Sequence, residues 1–200
     1  MDYKILESFV KACGVTDNTI IDRWERSKSK VSQIAVAESL LDGFIGKKTA
    51  QQAMDEEVHK LLSLYVAFAR AMYLLHQENH WAAQHFADHL LFQRLYEEVQ
   101  DEIIDDAAER VVGLCGSLLL QGTEAEIAKK FAPKDKRLVS LLESSLTIEK
   151  AFQKLCKQTY DEIKEKDMMT LGLDDMIMAQ ASVGETHIYL LQQELKGYEE

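Results

Sequence analysis

Apolar residues recur every three or four positions along most of this chain, and that spacing predicts helices. The clearest stripe is Met54, Val58, Leu61, Tyr65, Phe68, Met72 and His76, on a helix expected over residues 49–79. A helix over 84–120 follows a short reversal, with one stripe at Phe92, Tyr96, Val99, Ile103, Ala107 and Leu114. A second apolar set on it, Ala108, Val112, Cys115 and Leu119, points elsewhere on the cylinder, so this helix is expected to be buried on two sides. Thr123 with Glu126 has the spacing of a capping box and opens a short helix over 124–131, which Pro133 closes. Two more long helices are expected, over 135–166 (Leu138, Leu142, Leu146, Ile148, Phe152, Leu155, Tyr160) and 173–196 (Met176, Ile177, Ala181, Ile188, Leu191, Leu195). Four long helices with a short helix in the middle connection predict an all-α four-helix bundle. Ahead of it, residues 2–12 and a helix from Thr16-Asp17 to the glycines at 43 and 46 form an N-terminal helical extension. The expected division is therefore an extension at 1–46 and the bundle at 47–200.

Composition supports the same picture. The chain has 200 residues with 9 Gly and 1 Pro, where average usage would give about 14 and about 10. Sandwiches and barrels of many short strands need far more turn residues. The net charge is -11, and the first fifty residues hold nearly as many acidic as basic side chains. With no segregated basic surface, neither nucleic acid nor an anionic membrane is an expected partner. No run of about 18 apolar residues suggests a membrane span. The three cysteines, Cys13, Cys115 and Cys156, are sparse, odd in number and set among apolar residues, which fits reduced thiols and a cytoplasmic setting.

The candidate chemistry is concentrated in one place. Four of the six histidines fall in the stretch LLHQENHWAAQHFADHLL: His76 and His80 are four apart, as are His85 and His89. That spacing sets two imidazoles on one helix face, able to share a metal ion. Imidazole suits Zn, Cu, Fe and Ni, and added carboxylates shift the preference toward iron or manganese. Asp105 and Glu109, in DEIIDDAAER, form a second pair four apart. His89 and Asp105 are 16 residues apart on one helix, about 24 Å, too far to hold one ion within one chain. An antiparallel copy of the helix, related by a two-fold axis, could bring the acidic pair of one subunit to the histidines of another. A homodimer is the least assembly this allows, and the second apolar face offers a surface for it.

Taken together, His80-Trp81, F-x-x-H at Phe86 to His89, Leu95-Tyr96-Glu97-Glu98 and D-x-x-x-E-R at Asp105 to Arg110 resemble the Dps family of mini-ferritins, best over residues 70–120. The resemblance implies a ferritin-like bundle, a twelve-subunit cage, and oxidation and storage of ferrous iron at sites between subunits. It implies that His80 and His89 come from one subunit and Asp105 and Glu109 from its neighbour, with His76, His85 and Asp88 as substitutes and Asp106 as a stand-in for Asp105. The chain departs from the family pattern in three ways. The gap from His80 to His89 is short, as in phage-type relatives. Gln93 stands where an aspartate is expected. The interval from His89 to Asp105 is one residue longer, which would turn the acidic pair about 100° around an α-helix. A ferritin or bacterioferritin site needs E-x-x-H on two helices; Glu56-x-x-His59 offers one, but Glu185-Thr186-His187 has the wrong spacing, leaving Glu149 as a spare inward carboxylate. The competing readings are a ferritin-like bundle without redox chemistry, acting as a structural or interaction module through its N-terminal helices and an unknown partner, and a different dinuclear-metal enzyme on the same fold.

Overall fold

A computed structural model describes residues 56–119 and 122–198. The expected N-terminal extension at 1–46 lies outside them. The described residues are helical, without strands: α1 (Glu56–Ala82), α2 (Phe86–Val99), a π-helical segment (Gln100–Ile104), α3 (Asp105–Cys115), α4 (Glu124–Phe131), α5 (Leu138–Glu165) and α6 (Leu171–Lys196). The helix expected over 84–120 is thus one rod made of α2, the π turn and α3. The architecture is a four-helix bundle: α1 packs on α2 and α5, α5 on α6, and the short α4 of the middle connection lies against α1.

Local chemistry sets the ends. Gly116 (φ 80°) terminates α3, its N–H donating to the Val112 carbonyl at 2.8 Å. Asp167 takes the same left-handed conformation (φ 55°) after α5, and Thr170 then starts α6 by accepting the Leu173 N–H at 3.1 Å. The capping box at Thr123 does not form, since its side chain does not cap α4. Glu124 instead pairs with Arg70 of α1 at 3.1 Å, which holds the short helix down.

The π turn explains a pattern that the helical period alone leaves unaccounted for. Leu95, Val99, Ile103, Ala107 and Val111 are all fully buried. Positions four apart drift about 40° per step on an α-helix, so this row would wander by about 160°. A π turn holds one residue more than an α turn and takes back roughly 100° of that drift. It also takes up the additional residue between His89 and Asp105, so the expected rotation of the acidic pair is corrected within the helix. Gln180 of α6 supports the turn: its Nε2 donates to the Ile103 carbonyl at 3.3 Å, while its Oε1 accepts from Tyr65 Oη at 2.9 Å.

The second apolar face of this rod is largely used within the chain. Ala108 and Cys115 pack on the same core as Ile103 and Ala107, and Val112 remains exposed. α1 is long and apolar enough to cross a membrane by length and composition, but more than half of that stretch is buried within the bundle, as expected of a central core helix.

Two apolar clusters fill the bundle. The larger runs from Val58, Leu62 and Tyr65 to Phe152, Ile163 and Met176; the smaller comprises Phe92, Leu95, Leu141, Leu142 and Leu191. On every long helix the residues between them are polar: His76 and Asn79 on α1, Glu98 on α2, Ser145 and Glu149 on α5, and His187 on α6.

Candidate metal centre

His80 and His89 face each other across the reversal between α1 and α2. Their rings stack with centroids 3.6 Å apart and planes 29° from parallel. His80 Nδ1 donates to the His89 carbonyl at 2.9 Å, and His89 Nδ1 donates to the His80 carbonyl at 3.0 Å. A carbonyl oxygen can only accept, so both rings carry their proton on Nδ1 and keep an Nε2 lone pair when neutral. A metal-ligating histidine needs this preparation: one nitrogen anchored, the other basic. Tyr96 meets His80 edge-on at 5.2 Å, and Tyr73 meets Tyr96 in the same manner at 5.7 Å, so the pair has an aromatic wall. His80 is nearly buried and His89 half-buried.

The remaining expected ligands are spread out. Asp105 and Glu109 lie exposed on α3, far along the rod. Asp106 is already engaged, 3.3 Å from Arg110 and 3.4 Å from Gln180 Nε2. Gln93 donates to Glu97 at 2.7 Å on the surface of α2. His85 is exposed just before α2 and lines a cleft of about 450 Å³ with the buried Asp88, Lys136 and Arg137. Among the described residues, no three His, Cys, Asp or Glu side chains are grouped to hold one ion. A centre at His80 and His89 therefore requires further donors from outside the described part of one chain.

His76 does not join the rim pair. It is fully buried and belongs to the polar layer between the two apolar clusters. Its Nε2 lies 2.8 Å from Glu149 Oε1 and its Nδ1 3.1 Å from Ser145 Oγ, which also accepts from Asn79 Nδ2 at 2.9 Å. Glu149 Oε1 accepts a second bond, from His187 Nδ1 at 2.9 Å, and His187 Nε2 reaches Glu98 Oε2 at 2.9 Å. Arg94 closes the row, 2.6 Å from Glu98 Oε1. Each long helix thus contributes to one continuous row of hydrogen bonds.

Burial alone would raise the Glu149 carboxyl, but the hydrogen bonds from His187 and His76 outweigh it and hold Glu149 below the usual carboxylate range. Glu98 is lowered in the same way: burial opposes the shift, and bonds from Arg94 and His187 decide it. Burial pushes His187 down, yet its bonds to Glu149 and Glu98 leave it raised. The sequence offers His187 only in an E-x-H run without the E-x-x-H spacing, and Glu98 only within the Leu95–Glu98 run, so neither stands out as part of a buried row.

No protein-family model and no curated protein sequence matches this chain. Solved structures do. Dps from Thermosynechococcus elongatus aligns with a TM-score of 0.62 at 22% identity, over 74% of this chain and 95% of its own. A Dps1 variant from Mycobacterium smegmatis aligns at 0.59 with 16% identity, over 70% and 95%. DpsC from Streptomyces coelicolor aligns at 0.60 with 20% identity, over 69% and 83%. The described residues of this chain therefore share the ferritin-like bundle fold of these Dps structures.

Proposed function

We propose that this protein binds ferrous iron as its substrate between subunits, and oxidises and stores it in the manner of the mini-ferritins whose fold it shares. The observation that carries this reading is the His80–His89 pair, each ring anchored through Nδ1 to the other's carbonyl and left with a basic Nε2. Two imidazoles do not make an iron site alone, and hard carboxylate donors are what ferrous iron adds to them. Asp105 and Glu109 of a second subunit are the donors, because about 24 Å of helix separates them from the histidines of their own chain. Their exposure on α3 leaves both free to meet a neighbour. The proposal includes a homodimer as the smallest competent unit, a dodecameric cage as its extension, residues 1–46 as a separate helical extension, and a cytoplasmic location. Zinc or manganese is the alternative metal at the same donors.

The test is iron oxidation by the intact protein, followed by absorbance, with light scattering behind a sizing column. Wild-type protein should oxidise added ferrous iron faster than buffer and run larger than one 22.8 kDa chain. His80→Ala with His89→Ala should abolish the acceleration while circular dichroism stays helical. Unchanged oxidation in that variant, or a stable monomer at micromolar concentration, would overturn the reading.

A further inference from the structure

The polar layer at the centre of the bundle does a different job from the rim. Its donors do not converge on a point where an ion could sit; they form a row, with Glu149 Oε1 between His76 and His187 at 2.8 and 2.9 Å. The direction of each bond in the row can be assigned from what each group is able to donate. Asn79 gives a proton to Ser145 Oγ, and the serine hydroxyl is able to give its own to His76 Nδ1. His76 Nε2–H then donates to Glu149, so a single ring proton is enough to satisfy both nitrogens of His76. His187 differs. Both of its nitrogens face carboxylates, Glu149 at 2.9 Å and Glu98 at 2.9 Å, and an ionised carboxylate only accepts. Both bonds exist together only if both nitrogens carry protons.

We propose that His187 is a charged latch: an imidazolium, fully enclosed, that takes the place of a metal ion at the bundle centre, ties α6 to α2 and α5, and releases them when it loses its proton. The groups facing it are Glu149 from α5, Glu98 from α2 with Arg94 behind it, and His76 of α1 on the far side of Glu149. Loss of the proton leaves a bare nitrogen against a carboxylate oxygen, which repels where it had bound. α2 also carries His89, so the latch sets how firmly the helix bearing one rim imidazole is held. This does not depend on the iron reading.

The sign of the pH dependence follows from proton counting. His187 is raised in the folded chain above its ordinary 6.5, so between those limits the folded state holds one proton more than the unfolded state. Stability is then full below about 6.5 and falls as pH rises, the unfolding constant growing up to tenfold per pH unit until the folded ring titrates.

Urea unfolding of the full chain at fixed protein concentration, from pH 6 to 9, with and without EDTA, tests the latch. The wild type should show the alkaline loss, unaffected by EDTA, and His187→Gln should lose that limb. A wild-type alkaline limb that disappears with EDTA would overturn the proposal, because a metal and not a proton would then set it; an equal shift of the midpoint at every pH would report a metal elsewhere and leave the limb, which is what the proposal predicts, in place. If His187→Gln does not fold, Glu98→Gln at the half-exposed end of the row decides the matter. Its amide can donate to a neutral His187, so the alkaline limb should flatten. An alkaline limb equal to wild type in either variant would overturn the proposal.

Discussion

Two pairs of histidines in this protein behave in opposite ways. His76 and His187 are sealed in the polar layer, and every ring nitrogen there has a protein partner. His80 and His89 stand at the rim, where two carbonyls occupy only half of their nitrogens. His76 and His80 are one helical turn apart on α1, so helix position does not separate the two roles. The opposing groups do. Carboxylates and a serine on α5 and α2 consume the inner rings, whereas backbone carbonyls orient the outer rings and leave one nitrogen of each open. Spacing finds candidate ligands; the acceptors across the bundle decide which of them remain available.

The contrast can be broken most forcefully at Glu149. Glu149→Ala removes the oxygen shared by two buried imidazoles and should cost about 3–5 kcal/mol, the range for breaking a buried charged pair from one side; urea unfolding at pH 7 measures it. Acid should come next. Glu149 and Glu98 sit below their ordinary 4.5 in the folded chain, so the unfolded state binds more protons there. Their contribution is complete above that value and is lost as pH falls through the folded values, up to about 1.4 kcal/mol per pH unit for each carboxylate. A pH series on Glu149→Gln should show a shallower acid limb than wild type. Ser145→Ala, which strips a partner from both Asn79 and His76, should cost about 1–3 kcal/mol. The smallest effect on stability belongs to the rim. The double change His80→Ala with His89→Ala should cost about 1 kcal/mol, because water can replace the donors to the freed carbonyls. A rim cost equal to that of Glu149→Ala would erase the distinction between the two regions.

The bundle was legible in the sequence because stripes at intervals of three and four are a direct image of buried helix faces. Helix limits near Phe131, Glu165 and Lys196 agree with the ends expected from turn residues and apolar periodicity, whereas α1 runs on to Ala82, three residues past its expected end at 79. The polar layer was less legible. Glu149 was noticed only as a spare inward carboxylate, and His187 and Gln180 interrupt the apolar stripe of α6 as exposed residues would. Burial of a polar side chain is set by partners on other helices, and no local period reports those. His76 was placed correctly on the core face of α1, but its use by Glu149 depends on a residue 73 positions away. The π turn did leave a trace, the run of fours from Leu95 to Val111, which an unbroken α-helix could not keep on one face.

That turn also gives the rod a tolerance in chain length. One residue removed within Gln100–Ile104 can be absorbed by reverting to α-helical winding, leaving Ala107 and Val111 on the core. The same deletion elsewhere in α2 or α3 would swing everything downstream by about 100°. The segment acts as a slip joint: sequences differing by one residue there can fold onto the same backbone with the acidic pair facing the same way.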